Sequence, residues 1–140
     1  MMEQNKEAIR RWIIALNERD WPTLRSFIAD GYVYHGLGVE LHGAEGLEQF
    51  NRSILAGFPD LQCTLEDVFG EGNRCAWRLS FRGTHTGNFM GTPATGKQVE
   101  MVTIGISRLE DGKVAEDWEE GNMLGLLQQI GAVPTAASAG

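Results

Sequence analysis

The spacing of apolar residues changes once along this sequence, from a helical repeat to a strand repeat. Before Pro59, apolar side chains recur every three or four residues in three segments, which predicts three amphipathic helices. Their apolar positions are Ile9, Trp12, Ile13 and Leu16, then Leu24, Phe27 and Ile28 after a start at Pro22, then Leu47, Phe50, Ile54, Leu55 and Phe58. A short extended segment, Tyr32 to His35, lies between the second and third helices.

From Leu61 onward, apolar and polar residues alternate, which predicts strands over residues 61–69, 75–82, 99–109 and 113–120. Asp111-Gly112 is a strong hairpin turn pair, and Asn122 can cap a short closing helix. Helices followed by a run of hairpins predict an α+β fold, with a strongly curved antiparallel sheet packed against the N-terminal helices. Such a curved sheet leaves a cup that suits a small molecule.

Length and composition limit the classes of function. A chain of 140 residues with 42% hydrophobic residues predicts one domain, over residues 1–133, with a flexible tail over 134–140. The net charge of −7, without any basic run, argues against nucleic acid or an anionic membrane surface as a partner. No apolar stretch reaches the roughly 20 residues that span a bilayer. The polar N-terminus lacks the apolar region of a secretory signal, so a cytoplasmic location is expected.

The cysteines and histidines do not have the spacing of a metal site. We therefore expect no metal ion. Cys63 and Cys75 fall in consecutive predicted strands, opposite Leu79 and Asp67 respectively. In that register the two sulfurs are too far apart for a disulfide, so both thiols are expected to be reduced.

An acidic cluster occupies the last predicted strand, where acidic residues are normally depleted. Alternation places Asp117 and Glu119 on one face with Ala115, whereas Val114 and Glu116 fall on the other. Two inward carboxylates this close would repel each other and raise at least one pKa. The alternative is that these acids lie on a solvated strand face.

The register of the last hairpin decides what faces these acids, and the sequence leaves it open. A tight two-residue turn at Asp111-Gly112 pairs Glu119 with Ile104. A three-residue turn with a glycine bulge pairs Glu119 with Thr103 instead. A slip of one residue reverses which side chains of the partner strand share its face.

Two stretches of the sequence resemble the SnoaL-like family of polyketide cyclases. One is GTHTGNFMGTPATGK, residues 83–97, and the other is RLEDGKVAEDW followed by GLLQQIG, within residues 108–131. With the N-terminal helical pair and the His-Gly after the first strand, the resemblance extends to about Pro134. Because this family belongs to the nuclear-transport-factor-2-like superfamily, the resemblance implies a cone-shaped, cystatin-like α+β barrel.

The resemblance also implies cofactor-free general acid/base catalysis on a hydrophobic carbonyl substrate, by intramolecular aldol-type ring closure or a related isomerisation. Its carboxylate falls on Glu119, with Asp117 at a neighbouring site position. The polar residue that orients the substrate falls on Tyr34 or His35, and Gly105 stands where an inward histidine occurs in the best-studied members. The resemblance therefore implies that Glu119, Asp117 and His35 are catalytic. His35 could instead be a surface histidine at a strand end.

A flat polycyclic substrate needs aromatic and apolar walls, so several such residues are predicted to bind it. Phe89 and Met90 are candidates because they are apolar within a predicted loop. His85 could instead fix its loop through hydrogen bonds to the backbone. The predicted substrate-binding residues are Tyr34, Trp12, Phe50, Phe58, His85, Phe89, Met90, Met101 and Trp118.

Two other functions remain open from the sequence: a ligand-binding module without catalysis, and an oligomerisation module. The strand over residues 97–109 carries apolar side chains on both faces, Val99 and Met101 on one and Val102, Ile104 and Ile106 on the other. A strand buried on both faces needs a second covering layer. We therefore expect a homodimer with any of the three functions.

Overall fold

The computed structural model describes residues 2–134, so most of the predicted tail lies outside the described residues. The helices are α1 (Met2–Glu18), α2 (Trp21–Ser26), α3 (Gly43–Gly57) and α4 (Met123–Gln129). The strands are β1 (Ile28–Gly36), β2 (Val39–His42), β3 (Gln62–Glu71), β4 (Arg74–Thr84), β5 (Gln98–Glu110) and β6 (Lys113–Gly121). Each predicted element is present, and β2 is an additional strand that the residue pattern did not indicate.

The six strands form one sheet in the order β2-β1-β6-β5-β4-β3. Strands β1 and β6 pair in parallel, whereas all the other neighbours are antiparallel. The α+β fold is confirmed, but the prediction of an all-antiparallel sheet was wrong. Strands β1 and β6 are separated in the chain by the whole β2–β5 segment. This segment is long enough for the crossover connection that a parallel pair requires. The sheet is open, with β2 and β3 as its edges, rather than a closed barrel.

The helices cover one face of the sheet, which we call the inner face. Its buried strand residues include Tyr32 and Tyr34 of β1, Trp77 of β4 and Thr103 of β5. The two tyrosines and Trp77 pack with the apolar faces of α1 and α3 in a common core. The opposite, outer face carries the alternate residues of the same strands and has no helix over it in the part of the chain described.

The boundary between α2 and β1 differs from the prediction that Ile28 belongs to the second helix. Asp20 caps α2 by accepting a hydrogen bond from the Thr23 backbone N–H, and the helix ends at Ser26. The Phe27 carbonyl then accepts from the Val114 N–H at 2.7 Å, which draws the chain into the sheet. The predicted cap at Asn122 is present: its Oδ1 accepts from the Gly125 N–H at 2.8 Å.

Cys63 and Cys75 are buried free thiols. Their predicted positions were wrong, because Cys63 pairs with Phe81 and Cys75 with Gly70. The turn between β3 and β4 comes after Glu71, and a bulge follows Leu65, so the two cysteines lie farther apart along the ladder than predicted. Within residues 2–134, no helix is both long and apolar enough to cross a membrane.

Candidate active site

A cavity of about 100 Å³ lies between the inner face of the sheet and helices α1, α3 and α4. Most of its wall is apolar, and its polar groups concentrate on β1, β5 and β6, with one amide from α3. The polar lining residues are Tyr34, Asn51, Ser107, Asp117 and Glu119, together with the indole N–H of Trp77. An apolar cavity with a few convergent polar groups is the usual form of a small-molecule site.

Two tyrosines of β1 face two carboxylates of β6 across the parallel pair. The Tyr32 hydroxyl donates to Asp117 Oδ2 at 2.6 Å, and the Tyr34 hydroxyl donates to Glu119 Oε1 at 2.7 Å. Tyr34 pairs with Asp117 in the ladder, so each phenol reaches the carboxylate beyond its own neighbour. Alternation along both strands places all four side chains on the inner face.

A bulge in β6 brings both carboxylates inward, and neither predicted register occurs. Glu110 pairs with Lys113, as a two-residue turn requires, but the ladder then passes from Leu109–Val114 to Arg108–Glu116. Ala115 is therefore an extra residue, and Glu119 pairs with Gly105. The bulge also puts Val114 in the cavity wall with Asp117 and Glu119, whereas simple alternation assigned it to the other face.

The two carboxylates differ in how firmly they are held. Both oxygens of Asp117 accept hydrogen bonds, since the Ser107 hydroxyl donates to Oδ1 at 2.5 Å in addition to the bond from Tyr32. Within residues 2–134, only Oε1 of Glu119 is held in this way. The buried Thr103 hydroxyl lies towards Glu119 but outside hydrogen-bond geometry. Among residues 2–134, Glu119 Oε2 therefore accepts no hydrogen bond of normal geometry, and the Thr103 hydroxyl is its nearest polar neighbour without a partner.

Burial controls the protonation of these groups. It raises the pKa of Asp117 to about 6, although the hydrogen bonds from Ser107 and Tyr32 favour the charged form. Burial also raises the pKa of Glu119, and the charges of Asp117 and Glu120 act in the same direction. The pKa values of Tyr32 and Tyr34 rise well above the ordinary range, first through burial and then through their carboxylate partners. Both phenols are therefore protonated donors at neutral pH.

Comparison with known proteins agrees with this fold. Residues 6–130 match the family described as SnoaL-like polyketide cyclase. The chain belongs to this family. Among curated relatives, aklanonic acid methyl ester cyclase DauD of Streptomyces sp. strain C5 is 28% identical over 136 residues, covering 93% of this chain and 83% of that protein. Aklanonic acid methyl ester cyclase DnrD of Streptomyces peucetius is also 28% identical, covering 93% and 92%.

Solved structures give the same result. IdmH from Streptomyces antibioticus is 33% identical, with a TM-score of 0.82 over 91% of this chain and 99% of that chain. AclR from Streptomyces galilaeus is 29% identical, with a TM-score of 0.87 over 97% of this chain and 86% of that chain. The expected SnoaL-like fold is thus confirmed over nearly the whole described chain.

Some of the residues assigned to the SnoaL-like site meet at the cavity. Glu119, Asp117 and Tyr34 line it, and Trp12, Phe58 and Met101 form part of its wall. Phe50 is one layer behind: its ring centroid lies 6.0 Å from that of Tyr34, so it supports the phenol instead of lining the cavity.

His35 and Trp118 lie on the outer face, although both were assigned to the site. Alternation explains this position, because each is adjacent in sequence to residues that face the cavity. The two rings stack with centroids 5.7 Å apart, and His35 Nε2 lies 2.7 Å from Glu116 Oε2. The expected position of His35 at the mouth of the cup is therefore not observed, and of the two residues it is Tyr34 that lines the cavity.

The residues predicted from the glycine-rich connection lie away from the cavity. His85 is fully buried, its Nδ1 is 2.9 Å from Thr95 Oγ1, and its backbone carbonyl accepts from the Thr95 and Gly96 N–H groups. Its ring therefore contacts the loop through the Thr95 side chain, and not through the backbone as the sequence suggested. Phe89 packs edge-on against Phe58 at 5.0 Å, and Met90 is exposed at a tight turn.

Sequence reasoning did not assign Tyr32, Ser107 or Trp77 to the site. Tyr32 could have been found, because it lies two residues before Tyr34 and shares its face. Ser107 faces Asp117 only through the register that the Ala115 bulge creates, and the sequence carries no turn signal for that bulge. Among the described residues, no group of three or more His, Cys, Asp or Glu side chains could hold a metal ion.

Proposed function

We propose that this protein is a cyclase that acts on an uncharged, hydrophobic carbonyl compound through general acid/base catalysis by Glu119. The observation that carries the proposal is the state of this carboxylate: it lies in an apolar cavity, Tyr34 holds one oxygen, and the other is free. Among the described residues that line the cavity, none is Lys, Arg or His. An anionic ligand would meet two carboxylates without a compensating cation, so a neutral compound such as an ester fits better.

The reaction begins with removal of a proton from a carbon next to a carbonyl group. Glu119 Oε2 takes this proton, and the electron pair of the C–H bond passes into an enolate. The Tyr34 hydroxyl lies beside the same carboxyl and can donate to the enolate oxygen as Glu119 becomes neutral. The enolate carbon then attacks a second carbonyl of the same molecule, and the resulting alkoxide recovers the proton from Glu119. Protons and electrons balance, so ring closure needs no oxidant or reductant.

Asp117 keeps a different role in this scheme. Its two oxygens are already occupied by Tyr32 and Ser107, so it is not free to collect the substrate proton. Its charge lies close to Glu119 and raises the pKa of that carboxyl. A base whose pKa lies nearer neutrality can both accept and return a proton at physiological pH.

The direct test replaces Glu119 by glutamine and compares it with Glu120→Gln, a neighbour on the exposed outer face. Aklanonic acid methyl ester, the compound for which DauD and DnrD are named, is the first substrate of the panel. We expect Glu119→Gln to lower kcat/KM by about 100- to 10,000-fold, as loss of a general base does. Glu120→Gln is expected to retain activity, and both variants should bind ligand like the parent.

Full turnover by Glu119→Gln would refute the assignment of the base. The parent protein could also bind the compounds of the panel tightly without converting any of them. That result would make the cavity a binding site and refute the proposal that the protein is an enzyme. Deuterium exchange at the activated carbon of a substrate that cannot close its ring measures the first step by itself, so failure of enolisation is distinguishable from failure of ring closure.

We also propose that the protein acts as a homodimer through the outer face of β5. Val102, Ile104 and Ile106 are exposed there, with Ile104 60% exposed. Strand β4 lies on one side and presents Arg74, Arg78 and Arg82 outward, and β6 lies on the other and presents Glu116 and Glu120. A two-fold axis roughly parallel to β5 would place the basic strand of one copy over the acidic strand of its partner.

A further inference from the structure

Asp117 is reached from β4 by a chain of two hydrogen bonds that the proposed mechanism does not itself require. The indole Nε1 of Trp77 donates to Ser107 Oγ at 2.9 Å, and the Ser107 hydroxyl donates to Asp117 Oδ1 at 2.5 Å. Trp77 is 7% exposed and Ser107 is 2% exposed. Neither side chain has bulk water to replace a lost partner, so each bond is costly to break.

Gly105 is the residue that makes room for this chain. It lies between Trp77 on β4 and Glu119 on β6 in one row of the sheet. A Cβ atom at Gly105 would lie 2.3 Å from Cη2 and 2.4 Å from Cζ2 of the indole. The ring therefore occupies the place of a β5 side chain, and from there its N–H reaches Ser107, two residue pairs further along the sheet on the same face.

We propose that Trp77 and Ser107 are positioning residues that hold Asp117 in place beside Glu119, and that Gly105 is the position that admits them. A serine hydroxyl can rotate and can either donate or accept. The bond from the indole N–H occupies an acceptor site on Ser107 Oγ, which leaves the hydroxyl proton directed at Asp117. The effect of this positioning on catalysis rests on the proposed function. The hydrogen bonds among Trp77, Ser107 and Asp117 do not depend on it.

We call the two hydrogen bonds from Trp77 to Ser107 and from Ser107 to Asp117 the relay. It can be observed without a substrate, because it changes the titration of Asp117. A hydroxyl that donates to a carboxylate favours the charged form, so losing it raises the pKa of Asp117. We expect the other groups near the two carboxylates to keep their contacts when Ser107 or Trp77 is altered, because they lie on other side chains. Those groups are Tyr32 and Tyr34 from β1, Cys63 from β3, and Glu120 from β6.

The experiment is a carbon-13 NMR titration of the aspartate carboxyl groups in the full chain. We expect Ser107→Ala to raise the Asp117 midpoint by about one pH unit, the size of one hydrogen bond to a charged group. Trp77→Phe keeps an aromatic ring but removes the N–H, and should raise the midpoint by less. The matched controls Ser80→Ala and Trp118→Phe alter the outer face of the same sheet and should leave it unchanged.

The double variant separates a relay from simple packing. If Trp77 acts through Ser107, Trp77→Phe adds no shift in the Ser107→Ala background. An equal shift in both backgrounds, or an unchanged midpoint in Ser107→Ala, would overturn the proposal. If Trp77→Phe does not fold, the Ser107→Ala titration still tests the hydrogen bond from Ser107 to Asp117. An altered titration combined with full activity of Glu119→Gln would leave the relay standing and refute the proposed function.

Discussion

At the scale of single residues, two carboxylates on one strand face are made unequal by their hydrogen bonds. Asp117 has a donor on each oxygen, whereas Glu119 has one donor and one free oxygen. The difference follows from the donors that lie opposite each acid and not from the acids themselves. A short carboxylate with two fixed partners suits a stationary charge, and a longer one with a free oxygen suits proton transfer.

The raised pKa of Asp117 has a consequence for stability that can be measured. The folded chain keeps this proton up to about pH 6, whereas an unfolded aspartate releases it near pH 4. The folded state therefore binds more protons between these values, and the free energy of unfolding falls as the pH rises through them. A difference of about two pKa units corresponds to about 3 kcal/mol.

We expect Asp117→Asn to flatten the dependence of unfolding free energy on pH between about pH 4 and 7. Urea denaturation at a series of pH values measures this slope. Asp111→Asn, in the exposed β5–β6 turn, changes the same residue type away from the cavity and should keep the parent slope. The same slope in Asp117→Asn as in the parent would show that burial does not penalise the charged form of this acid.

At the scale of helices and strands, the sequence predicts the elements that follow from the periodicity of apolar residues. It does not predict the pairing of strands that are distant in the chain. The amphipathic helices, the β3–β6 strands and the Asn122 cap follow from local patterns and are present. The parallel pairing of β1 with β6 joins segments that are far apart in the chain, so no local pattern reports it.

The candidate site shows the same division. The acids on β6 stand out from their composition, whereas the family resemblance indicates Tyr34 or His35 on β1 without deciding between them. The partners of Asp117 depend on the Ala115 bulge, which moves β6 by one residue against β5 relative to the tightest predicted hairpin. His35 was misassigned because one step along a strand reverses the face of a side chain.

The contact between β4 and β5 predicts a sharp effect at Gly105. Gly105→Ala would place a methyl group 2.3 Å from Trp77 and 2.5 Å from the Trp118 carbonyl oxygen. Because the backbone oxygen cannot move away as a flexible side chain can, we expect a loss of about 1–3 kcal/mol in unfolding free energy. Thermal or urea denaturation measures this loss.

The matched control is Gly46→Ala in α3, where the nearest neighbour to a new Cβ is 3.9 Å away. This substitution removes the cost of glycine in a helix and should stabilise the chain by about 0.5–1 kcal/mol. Equal effects of the two substitutions would mean that the indole does not occupy the space over Gly105.

At the scale of the whole molecule, the sheet uses its two faces for different purposes. The inner face forms the cavity with the helices, and the outer face presents apolar side chains of β5 between an arginine-bearing and a glutamate-bearing strand. Residues of the two sets alternate along the same strands. The surface of the proposed homodimer and the proposed catalytic cavity are therefore separated by the thickness of one sheet.

This separation predicts that a charge on the outer face alters association but not the cavity. We expect Ile104→Asp to convert the proposed homodimer to a species of 15.4 kDa, as measured by light scattering after gel filtration. Burial of an unpaired carboxylate opposes association. Ile14→Asp, at a 54% exposed isoleucine of α1, should leave the mass unchanged. A parent protein that already has the mass of one chain would refute the homodimer.

The alternation along β5 and β6 also has a consequence for how such a chain can diverge. A point substitution at Ile104 or Ile106 alters the outer face, and one at Thr103 or Ser107 alters the inner face, so the proposed self-association and the proposed chemistry can diverge independently. Insertion or deletion of one residue between Thr103 and Ser107 would exchange the two sets of side chains and disturb both properties together. Changes of length are therefore expected to be better tolerated at the exposed residues 93–94 of the connection between β4 and β5, which belong to neither face of the sheet.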